Sequence, residues 1–91
     1  MAWFDEHIDH YEGVQGGAAV IRGTRTPVRT IVARHCTYGG DLEAVLRSFP
    51  HLTELQVRAA LAYHDEHRSE IDADNDRHAR ALEALAARAV R

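Results

Sequence analysis

The chain has 91 residues, 45% of them apolar and 27% charged, with a net charge of −3. That length holds one small domain, and no apolar run approaches the roughly 18 residues of a membrane span. The acidic start MAWFDEHIDH lacks the basic flank of a secretory signal, and the single cysteine, Cys36, excludes an internal disulfide, so a cytoplasmic protein is expected.

All eleven basic residues are arginine, which gives any anionic partner planar, two-pronged donors to meet. Charge is segregated along the chain. Residues 1–23 carry −3, residues 24–64 +2, residues 65–76 −5 and residues 77–91 +3. Separate surfaces for separate partners would produce this pattern, and so would a solvated face.

Residues 1–23 read as an N-terminal β-hairpin. HIDHY alternates weakly, with Ile8 and Tyr11 as its apolar members, and AAVIR is a short apolar run bounded by glycines. A lone hairpin is marginal in water, so it must pack on helices or on a second subunit.

From Thr26 the period turns helical. Thr26 is placed as the N-cap and Pro27 as the first helical residue, with Val28, Ile31, Val32 and Cys36 on one face and Gly39 as the stop. Asp41 caps a short second helix with Leu42, Val45, Leu46 and Phe49 as its apolar set, ended by Pro50. Thr53 and Gln56 then form a capping-box pair, with Leu52 and Val57 as the hydrophobic staple around it. This third helix turns Val57, Ala60 and Leu61 inward and runs to at least His67.

The expected fold is therefore mainly α with a short β-hairpin. A trihelical, helix-turn-helix-like core occupies residues 24–68 and a helical tail residues 69–91. The acidic stretch DADND reads as a hinge or a fresh cap. Beyond it Ala79, Leu82, Leu85, Ala86 and Ala89 form a stripe too thin to fold alone, which needs a partner surface.

The candidate chemistry is sparse. GGAAVIRG lacks the Gly-Lys-Ser/Thr of a phosphate loop and reads as punctuation around a strand and a strand-to-helix joint. His64 and His67 lie one helical turn apart with Asp65 and Glu66 between them, yet without a second paired motif they do not define a metal site. Cys36 falls on an apolar helix face, as a small buried hydrophobe does. Neither an enzyme nor a cofactor is expected.

A helix-turn-helix would offer Glu54, Gln56, Arg58 and Ala59 of the third helix to base edges, and Arg22, Arg25, Arg29 and Arg47 to phosphates. The overall acidity argues the other way, and trihelical units also serve as protein-binding scaffolds. The residues alone leave these two readings level.

One resemblance bears on that balance. Gly16, Gly17, Ile21, Gly23, Thr24, Arg25, Pro27 and Val28, followed by Gly40, Phe49, Pro50, Leu52, Thr53, Ala60, Leu61 and Tyr63, make the chain resemble the bacterial family called domain of unknown function 433 over about residues 8 to 67. It departs from the family pattern at Ala18-Ala19, where Lys-Pro is frequent, and at Thr26, where Ile is usual.

The resemblance implies a helix-turn-helix-like fold and, for many members, an antitoxin that neutralises a PIN-like ribonuclease encoded by the neighbouring gene and represses its own operon as a dimer. On this reading the DNA contacts are expected among the candidates above, Arg25, Arg29, Arg47, Glu54, Gln56 and Arg58, and the homodimer seam at Ile8, Tyr11, Val20 and Ile21 of the hairpin. The tail from Ser69 lies outside the resemblance; its thin apolar stripe and four arginines lead us to expect that it docks on the toxin through Arg77, Arg80, Leu82, Leu85, Arg88 and Arg91, the arginines pairing with the acidic metal-binding cluster of a PIN-type active site. The alternative is a dimeric protein-binding module or stand-alone regulator without a toxin.

Overall fold

The computed structural model describes residues 2–89. A 3-10 helix, Trp3–His7, leads into strand β1, Ile8–His10, which pairs antiparallel with β2, Ala19–Ile21. Four helices follow: α1 Val28–Thr37, α2 Leu42–Ser48, α3 Glu54–Glu66 and α4 Arg68–Ala89.

The hairpin register sets Ile8 opposite Ile21 and Asp9 opposite Val20. Between the strands, Gly16 and Gly17 take φ of 66° and 82°, which a side chain would resist. Gln15 also takes a positive φ, 52°, without being glycine. Its amide pins that strain in place: Nε2 donates to the Arg25 carbonyl at 3.3 Å and Oε1 accepts from Arg29 at 3.0 Å.

Helix starts follow local chemistry. Asp41 accepts from the Ala44 N–H at 3.3 Å and caps α2. At α3 the Thr53 hydroxyl accepts from the Gln56 N–H while the Gln56 side chain accepts from the Thr53 N–H at 2.8 Å, which closes the capping box. The start of α1 differs from expectation. Pro27 is extended (φ −71°, ψ 145°) and bridges to Val20, so the helix begins at Val28. Thr26 instead places its hydroxyl 2.7 Å from His51 Nε2.

The core gathers Phe4, Ile8, Ile21, Val28, Ile31, Val45, Phe49, Val57 and Tyr63 from hairpin and helices. Phe49 sits at the end of α2, 7% exposed, with Arg34 over its ring. Replacing it with alanine costs about 3–5 kcal/mol, read as a lowered denaturant midpoint at unchanged slope.

Two expectations are corrected here. DADND is neither hinge nor cap; it lies inside α4, which runs unbroken from Arg68. Its acids are held by the body: Asp72 lies 2.9 Å from His64 Nε2, and Asp74 accepts from Arg29 at 2.9 Å. Cys36 is exposed rather than buried. It lies in the last two residues of α1, beside a groove that leaves its side open.

Candidate functional site

Three surfaces carry the candidate residues: the start of α3, the hairpin, and the far half of α4. At the start of α3, Glu54 and Arg58 are exposed and joined by a 2.9 Å ion pair one turn apart. Such a pair is worth about 0.3–0.5 kcal/mol, so Arg58 is easily drawn away by a stronger anion. Gln56 is committed to the cap through its Oε1. Ala59, expected to face solvent, is fully buried. It is removed from the reading face because α3 turns both Ala59 and Ala60 inward.

Arg25 and Arg47 are exposed, Arg47 lying 4.0 Å from Glu43. Arg22 pairs with Asp9 across the hairpin at 3.0 Å. Arg29 is the correction. Its side chain is only 7% exposed, Nη1 donates to Asp74 and Nη2 to Gln15, and Nε has no partner. It ties α1 to α4 and to the hairpin loop, and is closed to phosphate.

The expected dimer seam is also corrected. Ile8, Val20 and Ile21 are 6%, 0% and 0% exposed within one copy. The rest of the chain covers them, Ile8 and Ile21 within the core shared with the helices, so none is free for a second subunit. Tyr11 is half-buried, and its hydroxyl accepts the Gly23 N–H at 3.0 Å, closing the turn after β2.

Helix α4 divides in two. Its first turns belong to the body: Ile71 is 1% exposed, and Glu70 accepts the Tyr63 hydroxyl at 2.9 Å. Burial, together with Glu70, pushes the Tyr63 hydroxyl well above its ordinary value. With the folded-state value raised, this contact contributes stability below the ordinary tyrosine range and loses it as pH rises beyond. At the other end of α1, Tyr38 shifts the opposite way through hydrogen bonding to Ser48 and Arg34.

From Arg77 to Arg88 every residue of α4 is exposed, Leu82 at 54% and Leu85 at 60%. Arg77 makes a 3.4 Å contact to Asp74, and Arg80 a 3.4 Å contact to the Asp76 carbonyl. At about 100° per residue, Arg77, Arg80 and Arg88 fall within about 80° of one another, Leu82 lies about 120–160° round from them, and Leu85 borders them about 60° from Arg88. Arg91 lies outside the described residues.

The histidines do not converge. His64 holds Asp72, whereas His67 stacks on Tyr63 with ring centroids 4.1 Å apart. No group of three metal-ligating side chains is brought together among the described residues. No helix among them is long and apolar enough to cross a membrane.

Two hollows flank α4. One, of about 310 Å³, lies between the Gln15–Ala19 loop and Glu70, Asp74 and Arg77. The other, of about 600 Å³, is an apolar groove formed by Val32, Cys36 and Leu61 and edged by Asp65, Asp72 and Asn75. Two features of the sequence mark the α4 docking, Ile71 and the acids around it, but an acidic stretch equally suits a break in the helix.

The family model described as "Protein of unknown function (DUF433)" matches residues 8–64. Among solved structures, the crystal structure of a DUF433 member protein from Anabaena variabilis ATCC 29413 is similar. It is 36% identical with a TM-score of 0.68, over 77% of this chain and 68% of that one. No curated protein matches.

Proposed function

This chain belongs to the DUF433 family, and on that premise we propose that it is a non-enzymatic cytoplasmic antitoxin of a type II toxin–antitoxin pair. It neutralises a PIN-like ribonuclease from the neighbouring gene by direct binding, and represses its own operon through the α2–α3 helix-turn-helix. The observation that carries the reading is the far half of α4, which stands clear of the body with Arg77, Arg80 and Arg88 on one side.

A surface of planar guanidinium groups suits a cluster of carboxylates, each pair forming two parallel hydrogen bonds. In a PIN-type site those carboxylates hold the catalytic metal, and arginines docked there compete with it. Leu82 faces away from the arginines and Leu85 borders them beside Arg88, so the toxin contact centres on the arginines.

The test is a chain ending at Asp76, which keeps Ile71 and Asp74 and hence the folded body. Co-expressed with the neighbouring gene product, it should fail to rescue growth where the full chain succeeds. Equal rescue by the two chains would place toxin binding on the body and overturn the assignment to α4.

The operator contact rests on Arg58, exposed in the first turns of the capped helix α3, with the exposed Arg25 and Arg47 left for phosphates. Arg58→Ala should weaken operator binding about 10–100-fold, the loss of one good bidentate base contact, and leave toxin binding intact. Gln56→Ala is the poorer probe, because losing its side of the cap costs stability by itself. Operator retention by Arg58→Ala equal to wild type would remove α3 from the DNA-reading role and favour a protein-binding module.

A further inference from the structure

Arg22, Arg29, Arg58, Arg68 and Arg77 each lie within 3.4 Å of a carboxylate. Arg34 pairs with none among the described residues, although acids outnumber arginines in this chain. Its guanidinium lies 5.9 Å over the Phe49 ring instead, which directs it without neutralising its charge. Arg47, with a side chain 71% exposed, meets Glu43 no closer than 4.0 Å.

Four residues beyond Arg34, at the C-cap of α1, stands Tyr38. Its hydroxyl lies 2.9 Å from Ser48 Oγ, which also donates to the Ala44 carbonyl at 3.3 Å. Hydrogen bonding to Ser48 and Arg34, with the charges of Arg34 and Arg47 nearby, holds the Tyr38 hydroxyl below its ordinary value. Two weakly neutralised guanidiniums and a hydroxyl donor therefore meet at one exposed point of an acidic chain.

We infer that Arg34, Arg47 and Tyr38 bind one phosphate of a duplex DNA backbone. Each guanidinium offers two parallel donors to phosphate oxygens. Tyr38 turns its proton to a further oxygen, and Ser48 gives its own to the phenol oxygen in place of the Ala44 carbonyl. The site is a shelf, with Tyr38 39% exposed, so a free ion would keep its water there. A polymer instead delivers its phosphate along with the contacts of its neighbours.

An acidic protein surface would seek an apolar anchor, and Phe49 is 7% exposed beneath Arg34. Phe49 also opens the turn leading to the Thr53 cap of α3, so a phosphate held here sets a strand beside that helix. Such a contact positions the duplex and reads no base. The phosphate site stands on this geometry; its assignment to DNA rests on the operator reading of α3.

The test compares two short duplexes over a salt series, one from upstream of this reading frame and one scrambled. Arg34→Gln with Arg47→Gln should weaken both equally, by about 10–100-fold, as loss of a charge-assisted contact does. The slope of log affinity against log salt should become shallower by about 0.9, the signature of one phosphate. Arg34→Lys with Arg47→Lys should keep the wild-type slope. Tyr38→Phe should weaken both duplexes about threefold to tenfold, one neutral hydrogen bond, at unchanged slope. Should the glutamine pair fail to fold, Arg47→Gln alone carries the same test on an exposed side chain.

Both arginines also lie in the last turns of their helices, where a cation offsets the dipole. A glutamine pair with a lowered unfolding midpoint but wild-type affinity and slope would leave them that role alone and overturn the site. Equal loss of both duplexes, with no wild-type preference for the upstream one, would support the site and sink the operator reading. Binding of neither duplex at low salt overturns the inference. So does a shift of the Arg34 Nε–H resonance with inorganic phosphate when no duplex binds, which would mean a small phosphorylated ligand.

Discussion

Asp74→Ala should destabilise the fold by about 3 kcal/mol, the lower end of what breaking a buried ion pair costs. Asp74 and Arg29 are 13% and 7% exposed, and their 2.9 Å contact is the polar tie between α4 and α1. Removing the carboxylate leaves a guanidinium buried with Gln15 as its one remaining acceptor, when Nε already lacks a partner. For a domain of this size the loss appears as a fall in Tm of roughly 12–24 °C.

The pair itself contributes little compared with a well-packed apolar replacement. Arg29→Met combined with Asp74→Leu should therefore recover most of the loss, and a double-mutant cycle by urea unfolding measures the coupling. A fall of less than about 1 kcal/mol for Asp74→Ala would mean that Ile71, with the Tyr63–Glu70 and His64–Asp72 contacts, holds α4 without the ion pair.

The second large effect is functional. Arg77→Glu, Arg80→Glu and Arg88→Glu together should abolish neutralisation of the proposed toxin and weaken the complex more than 100-fold, with helicity and Tm nearly unchanged. Two buried charge-assisted contacts at about 1.5–3 kcal/mol each account for such a loss, and reversed charge adds repulsion from the acidic site. The fold is spared because all three residues are exposed, and the 3.4 Å contacts of Arg77 and Arg80 lie on the surface. Full neutralisation by the triple variant would remove the arginines from the interface.

Set beside Asp74→Ala, the pair of experiments separates the two halves of α4. The first half anchors the helix to the body and the second presents it. A variant that breaks the anchor loses stability before it loses recognition, and one that reverses the arginines does the opposite.

Much of this architecture is legible in the sequence wherever the cause is local. Asp41 caps α2 and Thr53 with Gln56 caps α3 because each bond spans three residues, so the pattern and the contact coincide. The two strands are legible for the same reason, as apolar runs bounded by turn residues. What covers the strands is not local. Ile8 and Ile21 look the same to a sequence reader whether a second subunit or the chain's own helices pack on them, and they lie in the core with the helices.

Arg29 is the sharper case. In sequence it is one more arginine beside Arg25. Its acid lies 45 residues away, inside a segment whose composition suggests a break rather than a helix. The same contacts explain why that segment is helical: His64 and Arg29 receive acids that would otherwise repel one another along α4. Only the folded body supplies those partners, so neither the buried arginine nor the continuous helix follows from local propensity.

The antitoxin reading is tested most directly by co-expressing this chain with the adjacent reading frame, purifying it by affinity and weighing what accompanies it. The account predicts a stoichiometric complex with a small nuclease that arrests growth when expressed alone. Recovery of this chain by itself, beside a neighbour harmless on its own, would contradict it.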